Sequence, residues 1–254
     1  MLIDTHAHIY STEFADDYDA AIERSKMAGV GLILMPAIDV STHKVMLKLE
    51  EKYPAICLSM MGLHPCSVKE NFQEELDVAA DYFARRKFIA VGETGLDFYW
   101  DLTFKDQQYV AFRQQIAWAK QYKIPVVIHS RNSTDECIQV IREEQDGGLK
   151  GVFHCFSGTA EQAKKVADLG FYMGIGGVLT FKNSGLDAAI RDIDINTLVL
   201  ETDAPYLAPV PYRGKRNESS YIQYVAQKLA LIKGITVEEV ASVTTANAQK
   251  LFGL

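Results

Sequence analysis

Eight short apolar runs recur along the chain, and each is followed by a stretch with helical spacing. The runs are Leu2–Asp4, Gly31–Ala37, Ile56–Leu63, Phe88–Gly92, Pro125–Ile128, Lys150–Phe153, Phe171–Gly174 and Thr197–Leu200. They are continuous rather than alternating, the pattern of strands covered on both faces of a parallel sheet. The helical stretches are Asp16–Ala28, Ser41–Tyr53, Phe72–Arg85, Phe104–Tyr122, Thr134–Glu144, Ala160–Leu169 and Ser184–Arg191, with Ser219–Lys233 and Val237–Phe252 closing the chain. Ser41 reads as an N-cap, and Gly29, Pro54 and Gly170 as stops. Eight such units in 254 residues predict an α/β fold, one (β/α)8 TIM barrel spanning residues 1–254, since that fold typically takes about 250 residues. An open doubly wound sheet is the competing topology.

The polar residues decide between the two. His6, His64, His129 and His154 fall at the C-terminal ends of four runs, and His8 lies two residues past the first. Glu93 and Asp203 end two further runs, and only His43 among the six histidines sits in a helical stretch. In a barrel all these ends share one rim, where such enzymes place their chemistry. An open sheet would spread them along an edge.

Residues two apart on a strand point the same way, so His6 and His8 form a chelate. Each member of the set has a plainer explanation alone. His6 and His8 could be surface residues, Glu93 could pair with a basic side chain, His129 and His154 could be hydrogen-bonded rim histidines, and Asp203 could cap a turn. Together these would require five coincidences. His6, His8, Glu93, His129, His154 and Asp203 make six ligands, more than one tetrahedral ion uses. With a carboxylate able to bridge, they suit two divalent cations about 3.5–4 Å apart. Such a pair lowers the pKa of a water and neutralises developing charge, which is hydrolytic chemistry. No G-x-S-x-G elbow and no G-x-G-x-x-G after the first run points elsewhere.

Around this set, His64 is expected to bind a substrate oxygen or orient water, and Arg131 to meet an anionic group. Phe98, Tyr99 and Trp100 could stack on bases, although packing under their loop is the simpler reading. Gly176 and Gly177 could admit a phosphate to the backbone or only form a turn.

Lys plus Arg total 26 against 33 Asp plus Glu, a net charge of −7, which is not the footprint of a protein that coats nucleic acid with its whole surface. The four cysteines form no C-x-x-C pair and read as free thiols. The first strand begins at Leu2, which leaves no room for a signal peptide, and no run approaches a membrane span. A cytoplasmic location with no membrane and no obligate protein partner is expected.

The motifs Asp4-Thr5-His6-Ala7-His8, Gly62-Leu63-His64-Pro65, Gly92-Glu93-Thr94-Gly95-Leu96-Asp97, His129-Ser130-Arg131, His154-Cys155-Phe156-Ser157-Gly158, Glu201-Thr202-Asp203-Ala204-Pro205 and Arg213-Gly214-Lys215-Arg216-Asn217-Glu218 resemble, in order, those of the TatD family of metal-dependent deoxyribonucleases, among the amidohydrolase-like barrels. The resemblance implies that His6, His8, Glu93 and Asp203 hold one metal. It implies that Glu93 bridges to a second on His129 and His154, and that Asp203 helps to activate water. It implies magnesium-dependent cleavage of DNA, commonly from the 3′ end. Two departures show: Ser219 stands where the family often has Pro, and Cys66 where some relatives carry a second His. Four imidazoles by themselves favour Mn, Co, Ni or Zn over Mg, so Mg, Mn and Zn all stay open. The leading expectation is hydrolysis of DNA, with Arg213, Lys215 and Arg216 gripping its phosphates on the rim. The alternatives are a hydrolase of small amides or esters and a non-catalytic metal-binding module.

Overall fold

The structure, a computed structural model, describes residues 1–254. Its strands are β1 (Leu2–Asp4), β2 (Val30–Met35), β3 (Cys57–Ser59), β4 (Val91–Asp97), β5 (Val126–Arg131), β6 (Gly151–Phe153), β7 (Tyr172–Ile175) and β8 (Leu198–Leu200). Parallel ladders run β1-β2-β3 and β4-β5-β6-β7-β8. Both seams between them are bonded. Met61 bridges Val91, and Ala7 bridges Ala204. The Gly92 N–H donates to the Met61 carbonyl at 2.9 Å, and the Thr5 N–H to the Leu200 carbonyl at 3.0 Å. The strands therefore follow one another round a ring in the order of a (β/α)8 barrel.

Helices α1 (Tyr18–Met27), α2 (Val40–Lys52), α3 (Phe72–Arg85), α4 (Lys105–Tyr122), α5 (Thr134–Glu144), α6 (Ala160–Asp168), α7 (Leu186–Ile190), α8 (Ile222–Lys233) and α9 (Val237–Phe252) complete the chain. No helix is long and apolar enough to cross a membrane.

Several boundaries differ from those expected, β3 among them, which ends at Ser59 and not at Leu63. β4 begins at Val91 and runs to Asp97, because pairing with β5 continues through Gly95 opposite His129 and Asp97 opposite Arg131. Glu93 and His129 thus lie within strands, in segments too polar to read as apolar runs. The cap of α2 is Asp39, not Ser41. The Asp39 carboxylate accepts from the Ser41 N–H at 3.0 Å, and Thr42 completes a reciprocal pair, satisfying donors that the first turn leaves free. Ser219–Tyr221 is a separate 3-10 turn ahead of α8.

The core has two layers. Ile3, Leu34, Met60, Ala90, Val127, Val152 and Val199 come from round the ring yet pack together, so they fill its interior. Ala248, Leu251 and Phe252 of α9 join that cluster. Asn247 donates to the carbonyls of Ile195 and Leu198 at 2.8 and 2.7 Å, which fixes α9 across the N-terminal mouth. A larger cluster of 56 buried residues lies mainly between strands and helices. With one mouth plugged by apolar side chains, the polar residues that follow the strands gather at the other.

Candidate metal centre

Glu93 sits at the centre of this opposite end, 2% exposed. Its two oxygens face different partners. Oε2 lies 3.0 Å from His6 Nε2 and 3.5 Å from His8 Nε2. Oε1 lies 2.7 Å from His154 Nε2, 2.9 Å from His129 Nδ1 and 3.2 Å from His64 Nε2. Asp203 Oδ1 completes the first side, 3.8 Å from His6 Nε2 and 3.7 Å from His8 Nε2. The structure thus brings together all six residues expected as ligands, with His64 beside them. They fall into three overlapping groups that could hold a metal ion: His6, His8 and Asp203; His6, Glu93 and His154; His64, Glu93 and His129. Asp203 takes a φ of +56°, a left-handed conformation in which Asp is among the better tolerated residues. Its N–H donates to the His6 carbonyl at 2.9 Å, tying β8 back to the start of the chain.

Hydrogen bonds orient the rings of His8 and His129. The Tyr10 hydroxyl donates to the Pro36 carbonyl at 2.6 Å, so it accepts from His8 Nδ1–H at 2.9 Å. Nε2 of His8 then faces the cluster. Asp97 Oδ1 accepts the N–H groups of Tyr99 and Trp100, and its Oδ2 lies 2.8 Å from His129 Nε2. Burial pushes the Asp97 carboxyl up, but the bonds from His129 and the two amides outweigh it and hold it well below the usual carboxylate range. His129 therefore spends its Nε2 proton on Asp97 and turns Nδ1 to Glu93. The rings of His6 and His154 stack at 3.8 Å, 10° from parallel, and the Nε2 atoms of His6 and His8 approach to 3.3 Å. Bare nitrogens and carboxylate oxygens crowded together out of water repel unless cations lie among them. The donor set, imidazole nitrogen with shared carboxylate oxygen, fits divalent metal ions.

His64 differs. Its Nδ1 accepts from the Cys66 N–H at 3.0 Å, so the proton sits on Nε2 and points into the site.

A cavity of about 1370 Å³ opens above these residues, lined among others by Glu93, His129, His154, Asp203, Trp100 and Arg131. Arg131 is exposed, with its guanidinium 4.1 Å over the Tyr99 ring. Phe98 packs half-buried against the core as expected, but Tyr99 and Trp100 do not pack under their loop; they are 53% and 68% exposed. Gly177 lies where a Cβ would come 2.0 Å from the Leu207 carbonyl, so it admits the loop after β8.

Of Arg213, Lys215 and Arg216, expected to grip phosphates on the rim, none lines the cavity. Arg213 lies 4.3 Å over the Phe181 ring, and Lys215 is exposed 5.9 Å from the Tyr212 ring. Arg216 is held by Asp17 in two bonds of 2.6 and 2.8 Å, and those bonds draw the Asp17 carboxyl down to about 2. Arg216→Ala should cost less than about 1 kcal/mol of stability, as half-exposed pairs do, and leave the slope of DNA affinity against salt unchanged. A flatter slope in this variant would restore Arg216 as a phosphate contact.

Comparison with known families places this geometry. The family described as TatD related DNase matches residues 3–253. The chain belongs to the TatD family. It is 40% identical to the uncharacterized metal-dependent hydrolase YabD of Bacillus subtilis over 99% of both chains. It is 31% identical to a protein of Erwinia tasmaniensis named 3'-5' ssDNA/RNA exonuclease TatD, over the whole of both. The solved structure of the TatD homologue YjjV from Escherichia coli superposes with a TM-score of 0.94 at 30% identity, covering 100% of this chain and 98% of that one. As a TatD-family protein, the chain is a metal-dependent hydrolase.

Within this TatD fold, four residues of the site escaped sequence reasoning. Tyr10 and Asp97 fix the tautomers of His8 and His129. Glu201, fully buried, lies with Oε1 3.5 Å from His154 Nδ1 and accepts the Cys155 N–H at 2.6 Å. Gly174 makes room for it, since a Cβ there would come 2.0 Å from Glu201 Oε2. Asp4 accepts the N–H and hydroxyl of Thr202 at 2.9 and 2.6 Å, clasping β1 to β8 beneath His6, and burial pushes its carboxyl up to about 7. Glu201 carries a usable signal, an acid immediately after β8 and two residues before Asp203. The two departures from the family pattern are accommodated. Cys66 serves His64 through its backbone N–H, which any residue but proline offers. Ser219 is buried at the start of its 3-10 turn.

Asp97→Asn removes the charge that keeps the His129 proton on Nε2. It should lower metal affinity about 10–100-fold, as loss of such outer partners does. Unchanged affinity in a metal titration would reduce Asp97 to an anchor for the loop after β4.

Proposed function

We propose that two divalent cations occupy this centre and that the chain cleaves phosphodiester bonds of DNA, working from the 3′ end. The observation that carries the reading is Glu93, with one carboxylate oxygen turned to each side of the cluster. His6, His8, Asp203 and Glu93 Oε2 would hold one ion; His129, His154 and Glu93 Oε1 would hold the other. When bound, the pair lowers the pKa of a water and neutralises charge on the phosphoryl group. Asp203, at 13% exposure the more accessible of the two carboxylates, faces the cavity and accepts the proton of the attacking water. His64 Nε2–H donates to a non-bridging phosphate oxygen, and Arg131 meets the neighbouring phosphate. The buried thiols of Cys57 and Cys137, pushed up to about 12 by burial, offer no competing nucleophile.

The cavity supports a polymeric substrate, since about 1370 Å³ exceeds the roughly 300–1,000 Å³ usual for small-molecule sites. The Erwinia relative's name points the same way. The ligand set supports a protein purified with a transition metal, often Zn, that turns over with added Mg or Mn. Elemental analysis finding no transition metal would contradict the ligand argument. Incubating metal-loaded protein with DNA labelled at either end, and with a panel of small amides, esters and phosphodiesters, tests the function. Stepwise shortening from the 3′ end is expected. Hydrolysis of amides or esters with DNA left intact would replace the nuclease with an amidohydrolase.

A further inference from the structure

The loops that follow the strands divide by charge. Those after β1–β4 carry the acids Glu13, Asp16, Asp17, Asp39, Glu70 and Asp101, and their one basic residue, Lys69, is tied to Asp101 at 2.8 Å. The end of β5 and the loops after β7 and β8 present Arg131, Lys182, Arg213 and Lys215, all exposed and none of them paired with a carboxylate. Arg216 in the same stretch is spent on Asp17. The acids of those loops are withdrawn from solvent: Glu201 and Glu218 are buried, and Asp203 faces the histidines.

The cavity is uneven in the same sense. From the loops after β1–β3 it takes only Ile38, Cys66 and Ser67 besides His8 and His64. On the other side it continues from His154 past Ser157 and Thr159 to Ser184 and Gly185, between the starts of α5, α6 and α7. Two acids line this arm, Asp135 and Glu136 on the first turn of α5, and Asp135 is engaged by Gln162 at 2.8 Å and Lys165 at 3.4 Å. Beyond Ser184 the β7 and β8 loops join into one lip. The Val210 N–H donates to Thr180 Oγ1 at 2.9 Å, and the Arg213 guanidinium lies 4.3 Å over the ring of Phe181, the residue before Lys182.

We infer that the nucleic-acid strand leaves the metal centre through this arm, with Arg131 near the centre and Lys182 and Arg213 at the lip meeting its phosphates, and that the acidic loops after β1–β4 keep it off the other half of the rim. The inference rests on the nuclease reading and adds the face of the barrel that the substrate covers. A chain of net charge −7 holds a polyanion only where unpaired cations are concentrated, and a cleft lined by one sign of charge also steers the strand as it approaches. Lys182 and Arg213 lie outside the cavity lining, so they act only on substrates long enough to reach them.

That dependence on length tests the path. The metal-loaded protein would be titrated with a phosphorothioate strand, which resists cleavage, at a series of salt concentrations. With Lys182→Ala and Arg213→Ala combined, the slope of log affinity against log salt should become shallower by about 1.4, twice the roughly 0.7 that each phosphate contact contributes on a single strand. Affinity for a dinucleotide, too short to reach the lip, should be unchanged. Lys182→Arg with Arg213→Lys keeps both charges and should keep the parental slope, which separates charge from packing on Phe181. Lys44→Ala with Lys48→Ala removes two exposed charges from α2 and should change nothing, which separates local contact from net charge. A strand with a photoreactive base several nucleotides from its 3′ end should crosslink to the loops after β7 and β8. An unchanged slope in the alanine pair, equal losses on dinucleotide and long strand, crosslinks confined to the loops after β1–β3, or no binding of DNA would each overturn the path. Binding and crosslinking through the β7 and β8 loops without cleavage keeps the path and removes the nuclease reading; cleavage with the parental slope in the alanine pair does the reverse.

Discussion

Glu93→Gln is expected to abolish hydrolysis, lowering kcat/KM by about 10³-fold or more, as loss of a charge at the reacting centre does, while the barrel stays folded. The substitution keeps the shape of the side chain and replaces one oxygen with an amide NH2, which cannot ligate a cation. Glu93 stands 2.7–3.5 Å from five imidazoles, so both sides of the centre lose a ligand or its charge at once. Metal content and turnover should therefore fall together. The four ligand histidines round a neutral amide would still bind some transition metal, since imidazole suits Zn, Co and Ni, but not the full complement of the parent. Circular dichroism and metal analysis on the same sample make the comparison. Parental metal content with full activity would remove Glu93 from the centre.

Phe252→Ala should destabilise the protein by about 3–5 kcal/mol, the usual range for a buried phenylalanine, or about 6–20 °C in Tm for a chain of this size. Phe252 is 6% exposed, in the cluster where Ala248 and Leu251 close the N-terminal mouth against Ile3, Val152 and Val199. Truncating it leaves a void against side chains drawn from round the ring, which cannot collapse without moving several strands. Metal affinity at 25 °C should be unaffected, because the metal centre occupies the opposite mouth. A loss below about 1 kcal/mol would mean that α9 rests on the barrel without plugging it.

How far the chain could be read depends on how local each feature is. Strands such as Leu198–Leu200 and Gly151–Phe153 are apolar runs, and burial on both faces marks them directly. The six proposed ligands were legible as a set because they recur at or just past strand ends, where one rim collects them. β4 was legible only in part, because its paired portion includes Glu93-Thr94-Gly95 and ends at Asp97, polar residues whose strand geometry comes from pairing with β5. Tyr10 and Asp97 hold histidines 2 and 32 residues away, and periodicity carries no record of such a bond. The tie between Arg216 and Asp17 was invisible for the same reason, since the two lie 199 residues apart. Tyr99 and Trp100 show the converse, since composition does not distinguish rings tucked under a loop from rings left exposed on one whose backbone is bonded to Asp97.

The central claim is a centre of two cations sharing Glu93, and counting them tests it most directly. The chelated, dialysed protein would be titrated with Zn or Mn while bound metal and cleavage of a labelled single strand are followed together. Binding should saturate at two ions per chain, with cleavage rising chiefly as the second is taken up. Saturation at one ion per chain with full cleavage would contradict the account.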